Sequence, residues 1–190
     1  ELEKIRPLGR RRGQHEPVQY IMGEMEFHGL RLKADRRALI PRPETEQLIE
    51  HVIAACVPPP ASVLDLGTGS GAIALALARA FPAATVTAAD LSNDALALAR
   101  ENAFATDLAG RITFIQSDWF AAVPAGPFEL IVSNPPYLSA EETAQAPLEV
   151  RGFEPAQALS AADDGLADLR RIIECAPRFL APGGLLALET

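Results

Sequence analysis

Short, almost unbroken apolar runs recur along the chain at Ser62–Leu66, Thr85–Ala89, Ile112–Gln116, Phe128–Val132 and Leu185–Glu189. Their length and apolar continuity are those of strands buried on both faces. Apolar residues at helical spacing separate them, over about residues 71–80, from about Asn93 to Thr106 and from about Gly165 to Phe179, and Ser92 is placed to cap the second of these helices. Alternation of this kind predicts an α/β fold with a parallel sheet and right-handed crossovers. The stretch 138–163 breaks the rhythm and reads as a long irregular segment, a length usual for functional or mobile loops.

Upstream the pattern changes. Leu2, Ile5 and Leu8 recur with helical spacing but no capping residue precedes them, so residues 1–23 read as the tail of an N-terminal helical domain. Met25, Phe27, Leu30 and Leu32 alternate with polar residues about His28-Gly29, the pattern of a β-hairpin, and residues 24–36 read as a linker. Residues 37–190 form the main domain. It opens with a helix at Pro43, a residue suited to the first helical position, and Glu44 and Glu46 follow where the helix dipole favours negative charge. Leu48, Ile49, Val52 and Ile53 supply the buried face of that helix, and Pro58-Pro59-Pro60 stops it.

With 190 residues, 48% of them hydrophobic, the chain has material for one well-cored domain and a short appendage. A net charge of −8 argues against general nucleic-acid binding, which needs many Lys and Arg contacts to phosphate, and Arg10-Arg11-Arg12 reads as a solvated helix face. Cys56 and Cys175 form no Cys-x-x-Cys pair and the His residues show no ligand spacing, so we expect reduced thiols, a soluble cytoplasmic protein and no metal. No apolar run has the length of a membrane span and no signal peptide opens the chain, so no membrane partner is expected.

Chemistry concentrates at strand ends. Asp65-Leu66-Gly67-Thr68-Gly69-Ser70-Gly71 sets three glycines at alternate positions before a helix, a turn that lets a ligand approach the backbone and face the helix-start amides. Asp90 ends the next strand, with Leu91 beside it, and is positioned to accept hydrogen bonds from both hydroxyls of an adenosine ribose; the alternative is a helix-start residue next to Ser92. A nicotinamide-binding turn normally reads Gly-x-Gly-x-x-Gly after an apolar residue. Asp65, two residues before the first glycine, would repel a pyrophosphate but favours a ligand bearing an ammonium and a sulfonium, as S-adenosyl-L-methionine does. After the third strand, Asp118 is an acceptor for an adenine amino group, and Trp119 stacks nearby or packs in the core. The cofactor-binding candidates are Asp65, Gly67, Thr68, Gly69, Gly71, Asp90, Leu91, Asp118, Trp119 and Asn134.

The fourth strand runs into Ser133-Asn134-Pro135-Pro136-Tyr137. Two prolines remove two donors and fix φ at about −65°, so the Pro135 carbonyl is a rigid acceptor beside the Asn134 side chain. Two acceptors side by side suit an NH2 group. Taken alone, the tetrapeptide reads equally well as a strand-ending turn.

Ile40-Pro41-Arg42-Pro43-Glu44-Thr45-Glu46, the Asp65–Gly71 turn and Asn134-Pro135-Pro136-Tyr137, in this order and spacing, resemble the peptide chain release factor glutamine N5-methyltransferases, the HemK or PrmC family. The likeness runs from about Glu16 to the C-terminus and includes Pro17–Glu24 and Val150-Arg151-Gly152-Phe153-Glu154-Pro155. The glycine turn is shared by methyltransferases generally, and Asn-Pro-Pro-Tyr by those directed at amino and amide groups, adenine N6 included; Pro-Arg-Pro-Glu-Thr-Glu is much more specific. The resemblance implies a class I S-adenosylmethionine-dependent methyltransferase, a Rossmann-like parallel sheet with helices on both faces, preceded by a small helical domain and a hairpin connector. Its implied reaction is methylation of the glutamine in the Gly-Gly-Gln motif of release factors. It further implies two more closing strands and a fuller helical domain, so the sequence reads as truncated at both ends, with the last strand an apolar edge.

On that reading Asn134, Pro135 and Tyr137 are catalytic. The Asn134 side-chain oxygen and the Pro135 carbonyl accept the two amide hydrogens, and Tyr137 packs along the amide plane. Asn134, Pro135, Pro136, Tyr137 and Arg42 form the substrate-binding set. Glu154, Asp163 and Asp164 read as surface or cap residues, with a structural contact at Glu154. Three rivals stand beside this reading. An adenine-N6 nucleic-acid methyltransferase would need a basic groove that this acidic chain does not show. Asp65 and the Asn-Pro-Pro-Tyr loop count against a nicotinamide-dependent oxidoreductase, and a non-catalytic binding domain of the same fold is the third.

Overall fold

A computed structural model describes residues 2–190, apart from the side chains of Leu2 and Lys4, so the Leu2 position of the N-terminal spacing lies outside the described residues. Helix α1 (Leu2–Gly13) leaves Ile5 and Leu8 exposed, while two of its arginines are tied down, Arg11 to Glu16 at 2.7 Å and Arg12 to Glu149 at 2.6 Å. Short helix α2 (Val18–Met22) ends at Gly23 in the left-handed conformation. Strands β1 (Glu24–Phe27) and β2 (Leu30–Lys33) pair antiparallel about His28-Gly29, as the alternation predicts. The hairpin's apolar side, Phe27, Leu30 and Leu32, is buried in the main core.

Helix α3 (Pro43–Ala55) takes Pro43 in its first turn, and Ile49 and Val52 are fully buried. Then come β3 (Ser62–Leu66), α4 (Ala72–Ala80), β4 (Thr85–Asp90), α5 (Asn93–Ala105), β5 (Ile112–Gln116) and β6 (Phe128–Ser133). Ser92 caps α5, its hydroxyl accepting from the Ala95 amide. Two short helices, α6 (Ala140–Gln145) and α7 (Leu148–Arg151), lead to α8 (Ala167–Cys175) and the last strand, β7 (Leu180–Leu188).

The five strands β3 to β7 form one sheet in the order β5-β4-β3-β6-β7, each neighbouring pair parallel. Because side chains alternate across a strand, one set of residues fills two cores. Val63, Val86, Leu130 and Val132 face α3, α4 and the hairpin, whereas Leu64, Leu66, Ala89 and Ile131 face Phe120 and Ile172. Each such Leu, Ile or Val contributes roughly 1.5–3 kcal/mol through burial, which makes β3 and β6 the energetic centre of the sheet. They are also its topological centre: from β3 the chain winds one way to β5 and then returns to β6 on the other side. Loops leaving the carboxyl ends of β3 and β6 therefore diverge and open a crevice. Leu66 and Ser133 are in register at those two ends, and the Ser133 hydroxyl donates to the Leu66 carbonyl at 2.7 Å.

Three elements differ from the sequence reading. The 138–163 stretch holds α6, with a Ser139–Glu142 capping box, then α7, a 3-10 turn at Ala156–Ala158 and a parallel bridge from Leu138 to Ser160. Helices this short carry too few residues for a hydrophobic period to register. Helix α8 is confined to Ala167–Cys175, because Asp163, Asp164 and Gly165 all take positive φ before it and a 3-10 turn containing Pro177 follows it. Strand β7 begins at Leu180, ahead of the expected Leu185; Pro182-Gly183-Gly184 looks like a loop in sequence but forms an irregularity where the register shifts between the Phe128 and Leu130 pairs. No described helix is long and apolar enough to cross a membrane.

Candidate active site

The crevice is a cleft of about 230 Å³. Gly67, Thr68 and Gly69 line it after β3, Asp90 and Leu91 at the end of β4, Asp118 and Trp119 after β5, and Asn134 and Pro136 after β6. Two cofactor-binding candidates do not line it. Asp65 lies beneath the floor, fully buried, where its Oδ2 accepts from the Thr68 hydroxyl at 2.6 Å and the Ala74 amide at 3.1 Å. Its Oδ1 is buried without a partner, and burial, only partly opposed by those two hydrogen bonds, pushes its pKa up to about 7. Gly71 caps α4 with φ of 85° and faces α5; a Cβ there would sit 3.1 Å from the Ala99 Cβ, so the glycine serves helix packing.

The turn also departs from an amide cradle. The Gly67 and Thr68 amides donate to the Ala89 carbonyl, the Gly71 amide to the Thr68 carbonyl and the Gly69 amide to Asp90 Oδ2 at 2.8 Å. These donors close the turn on itself and offer no nest for an anion. Asp90 Oδ1 accepts from the Ser92 amide at 2.8 Å. Burial raises the Asp90 pKa against the pull of three backbone amides. The Gly69 and Ser92 amides fall on different oxygens, Oδ2 and Oδ1, and with three amide donors in all the carboxylate keeps acceptor capacity for a ligand.

Asp118 is less open than its sequence position implies. Arg171 of α8 grips both its oxygens, at 2.6 and 2.9 Å, on the exposed rim. Trp119, with φ of 50°, lays its ring beside Gly67 and donates from Nε1 to Asp168 Oδ1 at 2.9 Å. Helix α8 thus closes one wall of the cleft with Asp168 and Arg171, two residues that periodicity alone marks only as a polar helix face.

A second recess, about 130 Å³, lies on the far side of Asn134 and Pro136 and is lined in addition by Arg42, Pro135, Tyr137, Val150 and Leu159. All five substrate-binding candidates meet here. Asn134 joins the recess to the cleft, and its Nδ2 donates to Thr45 Oγ1 at 3.3 Å. Among the described residues no protein donor is bonded to Asn134 Oδ1 or to the Pro135 carbonyl. Tyr137 is partly exposed, and burial and the nearby Glu189 raise its pKa. Its carbonyl lies so close to Gly165 that a Cβ there would collide with it, and Gly165 has φ of 85°.

Glu154 corrects the expectation of a surface or cap residue. Its side chain is 1% exposed, accepting from Arg42 at 2.6 Å and from the Ile40 amide at 3.0 Å. Arg42 is thereby fixed to the wall of the recess, and the 150s are tied to the start of α3. Asp163 pairs on the surface with Arg170. Two further residues reach this region without standing out in the sequence pattern, Thr45, 3% exposed, and Glu189. Glu189 follows β7 and donates its amide to the Ser133 carbonyl at 3.1 Å. Burial and Glu44 raise its carboxyl pKa while hydrogen-bonding groups of Thr45 and Asn134 pull it down. A usable signal existed for Glu189: like Asp90, it is an acid at the carboxyl end of a sheet strand.

The chain matches the family model described as Methyltransferase small domain over residues 43–160, from the start of α3 to the bridge at Ser160. It is 50% identical over 175 residues to a release factor glutamine methyltransferase of Streptococcus pneumoniae, covering 92% of this chain and 62% of that protein. It is 47% identical over 202 residues to one of Chlorobaculum tepidum, covering 100% of this chain and 67% of the relative. Among solved structures, a SAM-dependent methyltransferase from Agrobacterium tumefaciens aligns with a TM-score of 0.59 at 22% identity, over 87% of this chain and 51% of that one, a likeness of fold. The chain thus spans 62% to 67% of the length of these two curated relatives. With a class I, Rossmann-like sheet, a cleft at its switch point and this level of identity, the chain belongs to the release factor glutamine methyltransferase family.

Proposed function

We propose that this domain transfers a methyl group from S-adenosyl-L-methionine to the side-chain amide nitrogen of a glutamine, that of the Gly-Gly-Gln motif of peptide chain release factors. One observation carries the reading: Asn134 directs its Nδ2 inward to Thr45, so its Oδ1 and the Pro135 carbonyl remain as two acceptors where the cleft meets the recess.

The cleft fits this cofactor. A turn whose amides are used internally suits a ligand without a pyrophosphate, Asp90 retains acceptor capacity for the ribose hydroxyls, and Leu91 and Trp119 provide apolar walls for an adenine. Gly67 and Gly69 allow close approach, and Asp65 holds the turn through Thr68. Asp118 reaches an adenine amino group only with a lone pair that Arg171 leaves over. Bound there, the cofactor supplies an electrophilic methyl on a sulfonium.

A glutamine amide nitrogen is a poor nucleophile because its lone pair is delocalised into the carbonyl. Asn134 Oδ1 and the Pro135 carbonyl accept its two hydrogens and so turn the nitrogen toward the cleft. Positive charge developing on that nitrogen lies between two oxygens, and once the methyl has left the sulfonium the nitrogen loses one of its two protons to solvent. Tyr137 and Pro136 hold the amide plane, and Arg42, braced by Glu154, meets the substrate backbone at the mouth of the recess. Residues 1–23 and the 24–36 hairpin end a helical domain and link it to this one. The reaction belongs to the cytoplasm, in keeping with the free thiols of Cys56 and Cys175.

The test is incubation of the full-length natural protein with labelled S-adenosylmethionine and a release factor carrying Gln or Ala in its Gly-Gly-Gln motif. Label on the Gln form alone is expected; label on both forms rejects the assignment.

A further inference from the structure

An acceptor pair works only if the Asn134 amide is held the right way round. The two orientations of a primary amide differ by a half-turn about one bond and occupy nearly the same space. In the wrong one, Nδ2 would meet the substrate NH2, donor against donor. The structure supplies a reason for the right one. Nδ2 donates to Thr45 Oγ1 at 3.3 Å, and Thr45 is 3% exposed in the first turn of α3. A hydroxyl that accepts one hydrogen bond still has its own proton to give.

The acidic group next to Thr45 and Asn134 is Glu189. In the sheet, Leu188 of β7 pairs with Ser133 of β6, and the Glu189 amide donates to the Ser133 carbonyl at 3.1 Å, so its side chain emerges beside Asn134. Its Oε2 is buried without a partner, and Thr45 and Asn134 are the two hydrogen-bonding groups acting on its carboxyl. Of the other charged groups around it, Glu44 disfavours the carboxylate and Arg42 favours it.

We propose that Glu189 and Thr45 form a relay that sets the orientation of Asn134: the Glu189 carboxylate accepts a hydrogen bond from the Thr45 hydroxyl, which turns the Thr45 lone pair to Asn134 Nδ2 and so points Asn134 Oδ1 into the junction of cleft and recess. The relay rests on the reading of Asn134 as an amide clamp. Both residues are positioning residues; neither touches the reacting atoms.

The full-length natural protein is compared with its Thr45→Val, Thr45→Ser, Glu189→Ala and Thr45→Val/Glu189→Ala variants. Thr45→Val and Glu189→Ala should each lower kcat by between about tenfold and a hundredfold, while the Kd for S-adenosylhomocysteine changes by less than about twofold. Thr45→Ser, which keeps the hydroxyl, should retain wild-type kcat. The double variant should be no slower than the slower single one, because both break the same relay. Wild-type kcat in Thr45→Val or Glu189→Ala, or losses that multiply in the double variant, would overturn the relay.

A second readout does not depend on turnover. In a 15N-1H spectrum, one Asn134 side-chain N–H should exchange slowly in the wild type and in Thr45→Ser, and quickly in Thr45→Val and Glu189→Ala. Unchanged protection in those two variants refutes the relay. A wild-type protein that shows the protection but methylates no glutamine instead refutes the reading of function.

Discussion

The two cavities that meet at Asn134 are built in opposite ways. On the cofactor side the polar groups of the glycine turn satisfy one another: amides close onto Ala89, Thr68 and Asp90, and Thr68 binds Asp65 below the floor. On the other side a buried network, Glu154 to Arg42 and Ile40, and Asn134 to Thr45, braces a loop whose outward oxygens have no partner among the described residues. The first region recognises by shape and by one carboxylate, the second by hydrogen-bonding capacity held in reserve. A cofactor common to many enzymes needs only the former, whereas an amide nitrogen must also be oriented.

The sharpest break in this contrast comes from Asn134→Ala. Loss of one of two oriented acceptors should cut turnover on the order of 10²–10³-fold, with S-adenosylhomocysteine affinity by calorimetry nearly intact. An equal fall in both would mean that the residue belongs to the cofactor side. Next in size is Glu154→Ala, which leaves Arg42 unpaired and the Ile40 amide unbonded. Breaking a buried pair costs several kcal/mol, and Arg42 is partly exposed, so a loss of about 3 kcal/mol is expected in urea unfolding. A change below 0.5 kcal/mol, ~the scale of an ordinary surface substitution, would show that the brace is not structural.

The smallest effect belongs to the floor of the turn. Burial raises Asp65 to about 7, against about 3.9 for an unfolded aspartate. Between these values the folded protein holds a proton that the unfolded chain has lost. The stability this confers is fully present below about pH 4 and is lost as pH rises through about 7. Urea midpoints at pH 5 and pH 8 should therefore fall more in the wild type than in Asp65→Asn. Parallel behaviour of the two proteins would place the pH dependence elsewhere.

The two sides were also unequally legible in the sequence. Strand positions and the glycine turn follow from continuous apolar runs and a local glycine spacing, so β3, β5 and the Ser92 cap lie where the pattern puts them. Asp90, Leu91, Asp118 and Trp119 each sit at or next to a strand end, and the sheet brings them to one cleft. Asp65 and Gly71 have the right spacing but face the floor and α5, because residues two apart on a turn do not share a direction. What sequence could not show is pairing across distance. Glu154 and Arg42 are joined only after the 150s fold back on α3, and Glu189 comes beside Asn134 only through the β6–β7 pairing. Arg171 takes both oxygens of Asp118 for the same reason: nothing local to either residue announces the other.

The central claim, that Asn134 Oδ1 and the Pro135 carbonyl hold an amide nitrogen, is tested most directly by a crystal structure with S-adenosylhomocysteine and a peptide containing Gly-Gly-Gln. Both oxygens should lie within about 3.2 Å of the glutamine amide nitrogen, with Asn134 Nδ2 still on Thr45. A glutamine nitrogen that reaches neither oxygen, or an Asn134 amide turned with Nδ2 toward the substrate, would contradict it.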